Sequence, residues 1–218
     1  MEDAKFPIAA FDEIGYQAVF NGQKTYNGVA IISRARAEDV RKDIAGYDDH
    51  QKRVIAATIN GVRLVCAYIP NGQTVESEKY QYKLQWLAAL QVYMRDTIAV
   101  YGDVALLGDY NIAPDDRDVY DPKAWEGQVL CSVPERDAFR SLVGLGLVDS
   151  FRLFDQAEKS YSWWDYRMNG FKRNLGLRID HILLTSDLAA RCTASMIDVE
   201  PRKLDRPSDH APVVADIR

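Results

Sequence analysis

The stretch Val104-Ala105-Leu106-Leu107-Gly108-Asp109-Tyr110-Asn111-Ile112 limits what this chain can fold into more than any other. Val104 to Leu107 is a continuous apolar run and reads as a buried strand. Gly108 lets the backbone turn sharply where that strand ends. Asp109 and Asn111, two positions apart, would leave the strand's C-terminal end pointing the same way, which is where open α/β sheets place their chemistry. The same residues also suit a plain Asx turn, with both side chains bonded to their own backbone.

Composition narrows the class. The chain has 218 residues, of which 47% are hydrophobic, enough for a core and too many for a disordered chain. No apolar run approaches the ~20 residues of a membrane span. The opening Met1-Glu2-Asp3-Ala4-Lys5 has no apolar segment of the signal-peptide kind. Cys66, Cys131 and Cys192 are odd in number and far apart, neither a disulfide framework nor a metal cluster, and fit a reducing cytoplasm. A net charge of -5 disfavours a non-specific nucleic-acid coat while leaving room for a local basic face.

No repeat or linker divides the chain, so residues 1–218 are expected to form a single domain. Tyr16–Phe20 and Gly28–Ser33 read as strands, with Asn21-Gly22 opening their connection. Arg53–Ile59 and Val62–Ile69 read as a hairpin around Asn60-Gly61. The charged segment Arg34–Gln51 gives no clear pattern. Glu76 to about Val100 reads as the one long helix, with Leu84, Leu87, Ala88, Met94 and Ile98 as its apolar face. Pro114–Pro134 is longer than the ~12–15 residues of plain connections, which points to a binding loop. Glu135–Val143 reads as a short helix and Leu147–Phe151 as a brief extended piece. Thr193–Val199, Arg178–Thr185 and Pro212–Ile217 read as strands. Strands dominate, most connections are hairpins and helices are few, so sheets rich in antiparallel pairs with helices outside are expected.

Four further stretches could carry chemistry. Tyr68, in Tyr68-Ile69-Pro70-Asn71-Gly72, sits at a strand end, placed to meet a phosphate or to cover a sheet edge. In Tyr161-Ser162-Trp163-Trp164-Asp165-Tyr166-Arg167 an aromatic cluster lies in a segment with five basic residues against one acidic between Lys159 and Arg178. Aromatic faces can fill the gap of a missing base, and arginine or lysine can bind phosphates; the tryptophans also suit a core. Asp180 and His181 occupy opposite faces of a strand, so only one can face a site. In Pro207-Ser208-Asp209-His210-Ala211-Pro212 the histidine is held between prolines. If Asp180 reaches His210, the carboxylate would orient the ring and favour its charged form.

Tyr-x-Pro-x-Gly at 68–72, Gly-Asp-x-Asn-Ile at 108–112, Ser-Trp-x-Asp-Tyr-Arg at 162–167, Leu-Arg-Ile-Asp at 177–180 and Ser-Asp-His-Ala-Pro at 208–212 occur in that order. Together they resemble the exonuclease III family of DNA-repair nucleases. The resemblance implies an α/β (α+β) four-layer sandwich of two mixed, largely antiparallel β-sheets flanked by helices. It implies hydrolysis 5′ to abasic sites and of 3′ ends in duplex DNA with Mg²⁺ or Mn²⁺, in the cytoplasm at the nucleoid. By that resemblance Asp109 would activate or orient the attacking water, with Asn111 supporting it and touching the phosphate. Tyr68 would contact the phosphate, His210 would stabilise the transition state, and Asp180 would orient His210. Asp209 and Asp109 would stand at the metal. Asn71, Trp163, Trp164, Arg167, Lys172 and Arg178 would contact substrate.

The chain also departs from that pattern. It lacks the family's opening Phe-Asn-x-Asn-Gly and Gln-Glu-Thr motifs, so an N-terminally truncated domain with a weakened metal site is expected. Exposed sheet edges would then invite self-association. The alternative is a catalytically inactive DNA-binding or interaction module, and a third reading is a phosphatase of the same broad fold.

Overall fold

A computed structural model describes residues 1–218. Asn60 and Gly61 adopt positive φ of 50° and 83°, the conformation a two-residue hairpin needs. Around them β4 (Val54–Ile59) and β5 (Val62–Tyr68) pair antiparallel, Ile59 opposite Val62. A helix, α2 (Glu78–Tyr101), then carries the chain back, so β6 (Val104–Asp109) lies parallel to β5. Ser77 caps the helix, its hydroxyl accepting from the Tyr80 N–H at 3.1 Å, and Gly102 ends it with φ of 70°.

The buried stripe of α2 is Tyr80, Lys83, Trp86, Leu87, Leu90, Met94 and Thr97, at steps of three and four. The sequence reading placed Leu87 and Met94 on this stripe but also included Leu84, Ala88 and Ile98, which lie at its edge or outside it. Ala88 faces solvent and Leu84 is only half-buried, whereas the charged Lys83 is inside. Trp86, Leu90 and Met94 pack on Val65, Ala67, Leu106 and Leu183 of the sheet. Each such fully buried side chain contributes about 1.5–3 kcal/mol.

The main sheet has six strands in the order β3-β4-β5-β6-β10-β7, where β3 is Glu38–Lys42, β7 Leu147–Asp149 and β10 Asp180–Thr185. Every pair is antiparallel except β5 with β6. The unplaced segment Arg34–Gln51 supplies β3, an edge strand exposed at all its residues and interrupted by a bulge. Edge strands are commonly charged and bulged, because this hinders pairing with other chains, and that hides the alternation a strand usually shows.

Two ribbons lie on the sheet face opposite α2. One is β1 (Gln17–Asn21) with β2 (Val29–Ser33), and the other is β11 (Cys192–Ile197) with β12 (Val213–Ile217). The mixed α+β class is as expected, but the second sheet is present as these two separate ribbons. β2 packs on β4 and β5, and β12 packs on β10. Between them Leu64, Cys66, Leu107 and Ile182 stay half-buried. The helices α1 (Ile8–Glu13), α3 (Pro122–Trp125), α4 (Val133–Val143) and α5 (Ser186–Ala190) complete the layers, with a fourth small pair, β8 (Trp163–Trp164) and β9 (Gly176–Leu177). The long segment Pro114–Pro134 is built into the fold. Its Val119, Leu130 and Cys131 form a buried cluster with Leu177 and Ile179.

Gly108 shows why the fold needs a glycine at that point. Its φ is 138°, and an added Cβ would strike the carbonyl oxygen of Ala67 on the neighbouring strand. Gly108→Ala is therefore expected to destabilise the protein by more than about 2 kcal/mol, read as a drop in the urea midpoint. A midpoint within error of the parent would show that β5 and β6 can part at low cost.

Candidate active site

Register assembles the site. Tyr68 lies opposite Asp109 in the parallel pair, and Asp109 lies opposite Asp180 in the antiparallel pair. The three side chains therefore stand in one row, on the face that carries Cys66, Leu107 and Ile182. His181, one residue on, faces the other way and is fully buried. Its Nε2–H donates to the Ile112 carbonyl at 2.9 Å, and Nδ1 accepts from Arg178 at 3.0 Å. Burial, then the Arg178 charge, push its pKa down to about 3, so it stays neutral.

The loop before β12 brings His210 to this row. The His210 Nδ1–H donates to Asp180 at 2.9 Å and 3.1 Å, leaving its Nε2 edge available. The loop is held by β8. The Trp164 N–H donates to the Asp209 carbonyl at 3.0 Å, the Ala211 N–H to the Ser162 carbonyl at 2.7 Å, and Trp163 Nε1 to Asp209 Oδ2 at 3.0 Å. Ser162 Oγ also accepts from the N–H groups of Ile179 and Asp180 at 3.0 Å each, fixing the entry to β10.

Asn111 closes the other side with φ of 50°. Its backbone N–H donates to Asp109 Oδ1 at 2.8 Å, and its side-chain amide donates to Asp109 Oδ2 and the Ile69 carbonyl at 3.0 Å each. Its Oδ1 accepts from Asn71 at 2.9 Å. Both amide hydrogens are thus engaged within the protein, and the residue orients Asp109.

The electrostatics follow from burial and crowding. Burial, reinforced by the Asp180 charge, raises the Asp109 carboxyl to about 7, against the pull of His210, Asn111 and Lys83. For His210 burial opposes the charged form, but the hydrogen bond to Asp180 and the charges of Asp180, Asp109 and Asp209 outweigh it and lift the ring to about 9. Burial and the nearby Asp109 raise the Tyr68 hydroxyl, which stays protonated. At neutral pH the site therefore holds an imidazolium beside a carboxyl poised to exchange a proton.

The sequence resemblance implies a divalent cation, and the donors test whether an ion suits this site. Mg²⁺ usually takes one or two carboxylates, the remaining oxygens coming from water and phosphate. Asp109 and Asp209 both act on Tyr68 and on His210, so the two carboxylates border one space. No group of three His, Cys, Asp or Glu side chains is arranged to hold an ion, so phosphate and water would supply the remaining ligands.

The basic, aromatic stretch is corrected in part. Trp164 is buried, its Nε1 donating to Asn174 at 3.0 Å, so it faces core and not substrate. Arg178 is buried as well, bonded to Asp118 at 2.7 Å and Asp149 at 2.8 Å, and cannot reach a phosphate. Arg167 is exposed and turns back onto Asp165 at 2.7 Å, and Lys172 is exposed. Trp163 is half-buried beside Asp209 and Asn71 is exposed, both at the rim of the row. The positive charge next to the row comes from elsewhere. A groove of about 810 Å³ opens along Tyr68, Pro70 and Asn71 and is lined by Lys24, Arg53 and Lys79. Arg53 donates to the Tyr68 carbonyl at 3.0 Å and lies 4.9 Å from the Tyr68 ring centre. Sequence reading missed these three because they are scattered along the chain. Arg53, placed just before a buried strand, was the one legible signal.

Comparison with known proteins agrees with this geometry. Residues 3–210 match the Endonuclease/Exonuclease/phosphatase family. The chain is 35% identical over 229 residues to exodeoxyribonuclease III of Haemophilus influenzae, spanning 99% of this chain and 86% of that one. It superposes on a 3′ phosphatase from Neisseria bound to a product DNA hairpin with a TM-score of 0.98, at 47% identity, covering 100% of this chain and 85% of that one. An AP endonuclease from Archaeoglobus fulgidus gives 0.95 at 40% identity, with coverage of 100% and 85%.

A charged His210 is directly testable. Its folded pKa lies above the unfolded value of about 6.5, so its stabilising contribution is complete below about pH 6.5 and is lost as pH climbs through about 9. In a chelator-treated sample the His210 ring resonances should titrate near 9, and Asp180→Asn should bring that midpoint down by at least a unit. A midpoint near 6.5 in the parent would show that Asp180 does not hold the charge.

Proposed function

This chain belongs to the endonuclease/exonuclease/phosphatase family, and from that premise we propose that it hydrolyses phosphodiester bonds of duplex DNA 5′ to abasic sites and at 3′ ends. It is an exodeoxyribonuclease III-like nuclease. The observation that carries the finer reading is the row Tyr68–Asp109–Asp180 with His210 bonded to Asp180 at 2.9 Å.

In this reading Asp109 takes a proton from the attacking water. Without a cation the carboxyl sits at about 7, in the range where a general base works, and a cation bound beside it would draw it lower. Asn111 holds both oxygens of Asp109 and so sets the direction of proton transfer. The His210 imidazolium, oriented by Asp180, offers Nε2–H to a phosphate oxygen as negative charge builds there. Tyr68 offers its hydroxyl to the same phosphate. Asp109 and Asp209 would hold Mg²⁺ or Mn²⁺, whose chemistry is to neutralise phosphate charge and make water a better nucleophile. Trp163 would border the sugar next to the scissile bond, and Asn71 the neighbouring strand. The groove with Lys24, Arg53 and Lys79 favours a polyanion that extends past one phosphate.

The test uses a duplex carrying one abasic analogue and a second duplex with a 3′ phosphate, each with Mg²⁺ or Mn²⁺. Asp109→Asn should lower kcat by about 10²-fold or more in folded, matched preparations. A mutant that cleaves like the parent would remove Asp109 from the mechanism. Salt-sensitive binding by the parent without cleavage would return the reading of a DNA-binding module.

A further inference from the structure

Lys83 takes no part in the mechanism above, yet it is a fully enclosed charge. It sits on the inward stripe of α2 with no solvent exposure. An ammonium has three donors, and here all three are used. Lys83 Nζ donates to the Asn111 carbonyl at 2.7 Å, the Asn71 carbonyl at 3.1 Å and Glu135 Oε1 at 2.5 Å. Glu135, equally buried, accepts in turn from the N–H groups of Leu130 at 3.0 Å and Ser132 at 3.1 Å, at the start of α4. Gly72 lies against the lysine stem, where an added Cβ would stand 3.2 Å from Cδ.

The two carbonyls belong to the two asparagines that bond each other at the site rim. They follow different strands, β5 and β6, and their backbones have left the sheet ladder. Something must therefore tie one loop to the other from beneath. Stability alone does not call for an ion pair at this place, since a well-packed apolar pair in place of both Lys83 and Glu135 is often as stable. Such a pair would leave the buried Asn111 carbonyl and the half-buried Asn71 carbonyl without this donor.

We propose that Lys83, anchored by Glu135, is a positioning residue that sets the orientation of Asn111 and through it of Asp109. This rests on the reading of Asp109 and Asn111 given above. α2 is therefore part of the catalytic framework, although it lies on the face of the sheet away from the substrate.

The experiment compares Lys83→Met and the double variant Lys83→Met/Glu135→Gln, the latter so that no lone buried charge prevents folding. Each is placed in the parent and in Asn111→Ala. In the parent, kcat on the abasic duplex should fall about tenfold or more while KM stays within about threefold, because misdirection of the base impairs chemistry more than binding. In Asn111→Ala the same change should add less than about a twofold loss. Equal losses in both backgrounds would make Lys83 purely structural and overturn the proposal. If Asn111→Ala alone leaves the rate unchanged, the catalytic reading fails instead, and the two failures are distinct.

A second readout does not depend on turnover. Hydrogen exchange of the Asn111 side-chain amide should speed up in the Lys83 variants, while exchange in the β4–β5 hairpin stays as in the parent. Should neither variant fold, Lys83→Arg keeps the ion pair and is expected to shift the same amide resonance. An unmoved resonance in the folded variant overturns the proposal.

Discussion

The register of three strands is the constraint on which the site depends. Tyr68, Asp109 and Asp180 share a row only because β5 and β6 run parallel while β6 and β10 run antiparallel at one specific offset. A slip of one residue in any of them would put Ala67, Gly108 or His181 in that row and drive a carboxylate into the core. The opposite face forbids the slip, because Val65, Ala67, Leu106 and Leu183 fill the space beneath α2. The same packing that stabilises the fold therefore aligns the polar row.

Holding that row has a thermodynamic consequence. Carboxylates crowded into a partly desolvated row repel one another, and the raised Asp109 carboxyl is the sign of it. Polar groups around the row offset this without cancelling it. Asn111 gives Asp109 two donors, Ser162 anchors the backbone of Asp180, and His210 supplies a compensating positive charge. A site in which every carboxylate was fully relaxed would have no group ready to accept a proton near neutral pH. Local instability and reactivity here have one origin.

Much of this was legible in the chain because it rests on local rules. Asn60-Gly61 specifies its own turn, and the apolar run into Gly108 marks a strand end. Eight of the expected strands fall within two residues of those observed. The members of the polar row were legible from their motifs, though not their mutual distances. What escaped depends on contacts between distant segments. Trp164 and Arg178 sit in a stretch that is basic by count, yet the fold turns both inward, one onto Asn174 and the other onto Asp118 and Asp149. Lys83 could have been found, since it occupies a step of the buried helical stripe where a charge needs a partner. That partner, Glu135, is 52 residues away, and no local pattern joins them.

The two ribbons of the second layer share no ladder of hydrogen bonds, with each other or with the main sheet. They are mechanically separate leaves. They meet only through the main sheet, β2 on β4 and β5 and β12 on β10. His210 belongs to the leaf that ends in β12, whereas Asp109, Tyr68 and Asn111 belong to the main sheet and its margins. The histidine is seated twice over, by its own bond to Asp180 and by the backbone bonds that join its neighbours Asp209 and Ala211 to Trp164 and Ser162.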